Sequence, residues 1–249
     1  MFNQKVCVVT GGASGMGREI SCCFGSQGAR VAIIDRNKEA FGKVVADIIS
    51  SGGEAFGIEA DVTDSKQVNE AFRAIEKKYG GVDILVNCAG VIAGHFITEI
   101  PEDEWDQVID INLKGTFLCI QAALRIMLRH STKGKIINIA SIAGKRGSGG
   151  WAGAHYAASK GGVIALTRSV ARQVAAYGIN VNAVAPGPTE TPLIEVVPDD
   201  AKESIRQSIP MGRLGKPQDV ANAVLFLAAD DSEYIHGEVI NVDGGITMD

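Results

Sequence analysis

Tyr156 and Lys160 stand four residues apart in the stretch A-H-Y-A-A-S-K-G-G, residues 154–162. In a helix that spacing stacks two side chains on one face. A phenol oxygen and an ammonium could then approach the same point. A phenol ionises near pH 10, too high for a base at neutral pH, and bringing it to 7 takes about 4 kcal/mol. A neighbouring ammonium favours the phenolate. The pair could therefore exchange a proton with a substrate oxygen, although a core aromatic beside a snorkelling lysine would have the same spelling.

A second group could hold phosphates. T-G-G-A-S-G-M-G (10–17) follows an apolar run and opens a helical pattern. Gly11, Gly15 and Gly17 let the backbone come close to a pyrophosphate, with Ser14 and Met16 between them. A helix amino terminus there would supply unpaired N–H groups and positive potential. The spacing G-x-x-x-G-x-G departs from the usual dinucleotide fingerprint. Asp35 ends the next apolar run, 18 residues beyond Gly17, where an acid can hold ribose hydroxyls. Arg36 follows it. Asp61 and Val62 close the third run and could flank an adenine, though a helix-capping role for Asp61 stays open. A 2′-phosphate beside Asp35 would set like charges together. NAD is therefore the expected cofactor.

These groups need elements to carry them. Short β-branched runs alternate with helical patterns along the chain: 6–10, 30–35, 54–61, 82–87, 134–141, 180–185 and 238–243 as strands, with helices expected at about 15–27, 37–51 and 64–78. Continuous apolar strands with helices between them read as a parallel sheet covered on both faces. The right-handed crossover rule makes that an α/β, doubly wound sheet of seven strands. One dinucleotide-binding and catalytic domain over 1–249 is expected. Residues 142–155, glycine-rich, and 186–217, with six of the seven prolines, break the rhythm at strand ends and are the expected substrate loops.

Composition narrows the function. Net charge is −5, and the chain has no run of five basic residues, which argues against a nucleic-acid partner. The five cysteines form no C-x-x-C pair and the four histidines are scattered, so no metal site is expected. No signal peptide or apolar run of ~18 residues is seen. A cytoplasmic protein with no membrane partner is the expectation.

With these residues in place, the chain resembles the classical short-chain dehydrogenase/reductase family. The resemblance rests on the glycine turn, N-C-A-G (87–90), Asn112 in I-N-L-K-G, Ser141, Y-A-A-S-K, and P-G-P-T-E-T (186–191). It implies a seven-stranded Rossmann fold and a catalytic group of Asn112, Ser141, Tyr156 and Lys160. Ser141 would bond the substrate oxygen, Asn112 would position a relay water, and Lys160 would tune Tyr156 and hold the nicotinamide ribose. Asn87, Ala89 and Gly90 would border the cofactor. Pro186, Gly187, Thr189 and Thr191 would reach its carboxamide. Cys88 stands where the family commonly has a second Asn, in a turn that mainly shapes backbone. Ser14 stands where many NADP-using members carry a basic residue. The resemblance implies hydride transfer between NAD(H) and a secondary alcohol or ketone, in a homotetramer. A 3-oxoacyl-carrier-protein reductase using NADPH is the alternative within the family, and a non-catalytic dinucleotide-binding regulator the alternative outside it. Small residues on the helix of Tyr156 (Ala158, Gly161, Ala165, Ser169) suggest a face for subunit contact. Lys145, Arg146, Trp151 and His155 lie close enough in sequence to meet substrate.

Overall fold

A computed structural model describes residues 1–148, 152–195 and 199–248. Seven strands form one sheet: β1 (Val6–Thr10), β2 (Arg30–Asp35), β3 (Glu54–Glu59), β4 (Ile84–Asn87), β5 (Lys135–Ile139), β6 (Asn180–Pro186) and β7 (Val239–Val242). Their order is β3-β2-β1-β4-β5-β6-β7 and every pairing is parallel. Alternation along a strand sends side chains to opposite faces. Thus Cys7 and Val9 of β1 enter one core, while Val6 and Val8 enter the other.

The helices cover both faces. The first core holds Phe24 of α1 (Gly15–Ser26), Val44 and Ile48 of α2 (Lys38–Ser50), and Val224 of α10 (Pro217–Ala228). The second holds Phe72 of α3 (Ser65–Tyr79), Ile120 and Met127 of α5 (Gly115–Arg129), and Val170 of α7 (Ala154–Val174). The chain winds outward from β1 to β3 and then returns to place β4 on the other side of β1. That reversal leaves a crevice at the carboxyl ends of β1 and β4, where open α/β sheets take ligands.

Several boundaries differ from the sequence expectation. β5 stops at Ile139 and β3 at Glu59, so Ser141 and Asp61 lie beyond their strands rather than in them. At β5, Ala140 N and Ile142 N still donate to Val184 O and Pro186 O of β6, and the chain then turns, with Gly144 N donating to Ser141 O at 3.0 Å as it enters α6 (Ala143–Arg146). The 186–217 segment is also more ordered than a loop, with α8 (Pro192–Glu195), α9 (Asp199–Gln207) and a parallel bridge between Thr189 and Gly215. Trp151 lies outside the described residues. Between β4 and β5, α4 (Glu102–Ile109) runs into α5 through a π turn at Asp110–Lys114. Among the described residues this continuous Glu102–Arg129 helix is long and apolar enough to cross a membrane, and half of its apolar window is buried inside the protein. It packs as a core helix.

The glycine turn fixes how closely α1 meets the sheet. A Cβ on Gly17 would lie 2.1 Å from the Gly11 carbonyl oxygen, a backbone atom that cannot rotate away. Gly17→Ala should therefore lower the unfolding free energy by about 3 kcal/mol, the upper end for overpacking, in urea titration. A loss under ~0.5 kcal/mol would show that α1 can shift outward freely.

Candidate active site

The site is built where β1, β4 and β5 end. Gly11 takes a positive φ of 65° and its N–H bonds Ile34 O at 2.8 Å, turning the chain across β2. A side chain there would strike Ala89 Cα at 2.7 Å, so the β1 and β4 turns touch backbone to backbone. Thr10 Oγ1 accepts from Cys88 N at 3.1 Å and Ala89 N at 3.2 Å, which ties them. Ser14 is the extended N-cap of α1 with no side-chain capping bond. The first N–H groups of a helix have no intrahelical acceptor, and here they face the crevice.

A cavity of about 250 Å³ lies over this turn. Gly11, Ser14, Gly15, Met16, Gly17, Asp35, Arg36, Asp61, Val62, Ala89 and Gly90 all border it. Asp35 is held at both oxygens, accepting Ala13 N at 3.1 Å and Asn37 N at 2.9 Å. Arg36 is exposed beside it. Asp61 is not the cap of α3. That role is taken by Asp64, which accepts from Lys66 N and Gln67 N, while Asp61 Oδ1 accepts from Thr63 N and Oγ1, both at 2.8 Å. Asn87 is buried and outside that lining; its Nδ2 donates to Asn138 Oδ1 at 2.8 Å, while its Oδ1 has no partner among the described residues. Asn138 in turn donates to Thr167 Oγ1 at 2.9 Å. The amide pair stitches β4 to β5 and α7, because in a parallel sheet covered on both faces a buried amide needs an internal partner.

A second cavity, about 980 Å³, continues past Met16 and Thr191, which border both. Ser141, Tyr156, Pro186, Gly187 and Thr189 line it, with apolar side chains including Ile142, Ile194 and Ile205. Thr191 also lies over the glycine turn, since a Cβ on Gly15 would be 3.5 Å from Thr191 Cβ.

The four expected catalytic residues converge here. Asn112, wholly buried in the π turn, accepts from Val91 N at 2.8 Å and donates to Val91 O and Ser159 Oγ, both at 3.0 Å. Ser141 Oγ accepts from Ala143 N at 3.1 Å. Lys160 Nζ donates to Ile139 O at 2.8 Å and lies 5.9 Å from the Tyr156 ring centroid. A Cβ on Gly90 would come within 3.1 Å of Asn112 Oδ1 and 3.4 Å of Lys160 Nζ.

Burial dominates the electrostatics of the pair in the absence of cofactor. Burial raises the Tyr156 value above its ordinary 10, against the opposing hydrogen bond of Ser141. Burial instead lowers the Lys160 ammonium from 10.5 to about 8. The Cys88 thiol, bordering the first cavity, is pushed up to about 12 by burial, so it stays protonated and unreactive. Among the described residues no group of histidines, cysteines and carboxylates could hold a metal.

Around Tyr156 the sequence reading missed several partners. His155 is wholly buried, its Nε2 3.1 Å from Glu104 Oε1 but out of line for a hydrogen bond. The same oxygen meets His95 Nδ1 at 2.8 Å, and Trp105 stacks on the His155 ring at 6.4 Å. These residues join α4, the loop after β4 and the start of α7. No local spelling marks the His155 contacts, because they span 50 and 51 residues. Gly161 makes a close approach within the chain. A Cβ there would meet Gly144 O at 3.3 Å, so it lets α6 approach α7 within the chain, while Ala158, Ala165 and Ser169 are exposed.

Fold and site together define an oxidoreductase built around a nicotinamide dinucleotide. The chain belongs to the classical short-chain dehydrogenase/reductase family: the family model described as enoyl-(acyl carrier protein) reductase matches residues 11–247. It is 41% identical over 244 residues to the 3-oxoacyl-[acyl-carrier-protein] reductase of Thermotoga maritima, covering 98% of each chain. It superposes on a short-chain type dehydrogenase/reductase from Mycobacterium marinum with a TM-score of 0.95 and 34% identity, covering 100% of this chain and 97% of the other. Levodione reductase matches with a TM-score of 0.94 and 33% identity over 98% of both chains.

The depressed Lys160 value has a consequence for stability. Between pH 8 and 10.5 the unfolded chain keeps a lysine proton that the folded chain has lost, so folding gains as pH rises. Relative to Lys160→Met, wild-type stability should rise by about 2–3 kcal/mol between pH 7 and 10. Urea unfolding of both proteins across that range checks it, and parallel curves would refute the buried, depressed lysine.

Proposed function

We propose that this chain transfers hydride between NAD(H) and a ketone or secondary alcohol, with Asn112, Ser141, Tyr156 and Lys160 as the catalytic group. The residues fit the cofactor. The glycine turn and the open N-terminus of α1 would hold the pyrophosphate. Asp35 would accept from the adenosine ribose hydroxyls, and Lys160 lies deep enough to serve the second ribose. When bound, the nicotinamide supplies or accepts the hydride. The protein handles the oxygen. Ser141 donates a hydrogen bond to the carbonyl, and Tyr156 gives it a proton. The raised phenol value keeps Tyr156 protonated at neutral pH, the form that reduction of a carbonyl requires. Lys160, still an ammonium at pH 7, restores that proton, and Asn112 orders the path behind it.

The single observation behind NAD is the pinned Asp35. Two backbone amides hold its carboxylate in place, so it cannot swing from a 2′-phosphate. Like charges held together cost several kcal/mol, and ~2–4 kcal/mol is about 30- to 1000-fold. One exposed arginine, Arg36, does not offset a fixed charge. The second reading is a 3-oxoacyl-carrier-protein reductase using NADPH. The names of the curated relatives support it more specifically than any feature of the site supports a free alcohol. The two readings part at the cofactor: kcat/KM should favour NAD(H) over NADP(H) by at least tenfold, with Asp35→Ala narrowing the gap mainly by weakening NAD. Kinetics with both cofactors, on free ketones and on a 3-oxoacyl thioester, decide between them. Exclusive use of NADPH on the thioester would establish the second reading instead.

The proton assignment is tested separately. Tyr156→Phe should reduce turnover by ~10²–10⁴-fold, the worth of general acid–base assistance, with NADH affinity unchanged by fluorescence titration. More than a tenth of wild-type rate would remove Tyr156 from the mechanism.

A further inference from the structure

The larger cavity carries a charge that its chemistry does not yet use. Among its described lining residues Arg146 is the only charged one, against walls of apolar side chains, hydroxyls and backbone. Its guanidinium has no hydrogen bond or ion pair with any described residue. The adjacent Lys145 is placed otherwise: its Nζ donates to Val239 O at 3.3 Å, toward β7 and outside the cavity lining. One of two neighbouring cations is thus committed to the fold, and the other faces the substrate space.

Arginine stays charged at every accessible pH, and its planar fork matches a carboxylate or phosphate. Its place sets how far that anion lies from the reaction. Ile142 is already helical, with φ −59° and ψ −26°, and α6 ends at Arg146. At a rise of about 1.5 Å per residue on a helix of about 2.3 Å Cα radius, the Cα of Arg146 stands roughly 8–9 Å from that of Ser141. Both side chains border one cavity, so a single small molecule can reach both.

We propose that the cavity takes a substrate bearing a carboxylate or phosphate ester a few bonds from the reacting carbonyl, and that Arg146 binds that anion. The proposal rests on the hydride-transfer reading of the same site. Arg146 is partly in water, and a charge-assisted hydrogen bond so placed is worth about tenfold in kcat/KM, not thousandfold.

The test uses matched substrates with both cofactors: 2-, 3- and 4-oxo acids against their methyl esters, and keto-phosphates against the parent ketones. Wild type should prefer the anion of one set by about tenfold, and which set responds distinguishes carboxylate from phosphate. Added salt should weaken the preference. Arg146→Gln should bring the anion-to-neutral ratio near one, Arg146→Lys should keep part of it, and Lys145→Gln should leave it at the wild-type value. Equal use of anions and neutral partners by wild type would overturn the subsite alone. So would an unchanged ratio in Arg146→Gln, or faster turnover of a neutral 3-oxoacyl thioester than of every acid. No turnover of any member with either cofactor would overturn the hydride-transfer reading, and the subsite with it.

Discussion

The rest of the site is arranged around one buried ammonium. Taking a lysine out of water costs several kcal/mol unless the charge is held, and the depressed Lys160 value records part of that cost. The bond to the carbonyl of Ile139, the last residue of β5, offsets some of it. Two residues further on, the Ser141 hydroxyl opposes the effect of burial on the Tyr156 phenol. Asn112 closes the other side. Its bonds to both polar atoms of the Val91 backbone and to Ser159 lock the β4 loop, the π turn and α7 into one body. The π turn inserts an extra residue in the helix and aims that amide inward, a common use of such bulges.

That body works only because backbones come unusually close to each other. Gly11 meets Ala89, Gly17 meets Gly11, and Gly144 meets Lys160, each at a separation that a Cβ would occupy. The first two contacts fix the glycine turn against the β4 turn, and hence the α1 terminus against the crevice. The third sets α6 against α7, which carries Ser141 toward Tyr156. Packing at such distances leaves little room for independent motion, so the phosphate end and the reacting end of the groove are fixed relative to one another through the sheet.

Much of this was legible in the sequence, for identifiable reasons. The seven strands showed because buried parallel strands are spelled as short continuous apolar runs. The glycine turn and Asp35 showed because their backbone geometry demands particular residues at fixed spacing. What stayed hidden depends on distant partners. The bond from Asn87 to Asn138 joins residues 51 positions apart, a pairing that no local spacing marks. The burial of Tyr156 and Lys160 is likewise set by the elements packed over them. His155 shows no local sign of its contacts, because Glu104 and Trp105 reach it from another helix. Strand ends were overestimated for a related reason: apolar spelling continues into turns that are buried by the chain above them.

The charges along the groove follow a division of labour between scaffold and loops. Asp35 sits at a strand end with two backbone amides fixing it, so its position is set by the sheet. Lys160 sits mid-groove on a long buried helix, equally fixed. Arg146 closes a four-residue helix, and its guanidinium is held by no described neighbour. A fixed acid favours a ligand offering hydrogen-bond donors, the basis of the NAD reading proposed above. The arginine at the far end favours the opposite, the basis of the anion subsite proposed above. Because one end is set by the sheet and the other by a short loop-borne helix, change in the loop can alter the substrate without disturbing the cofactor. On the proposed reading, that separation lets two proteins share the sheet and the cofactor end of the groove while differing in the side chains around the larger cavity.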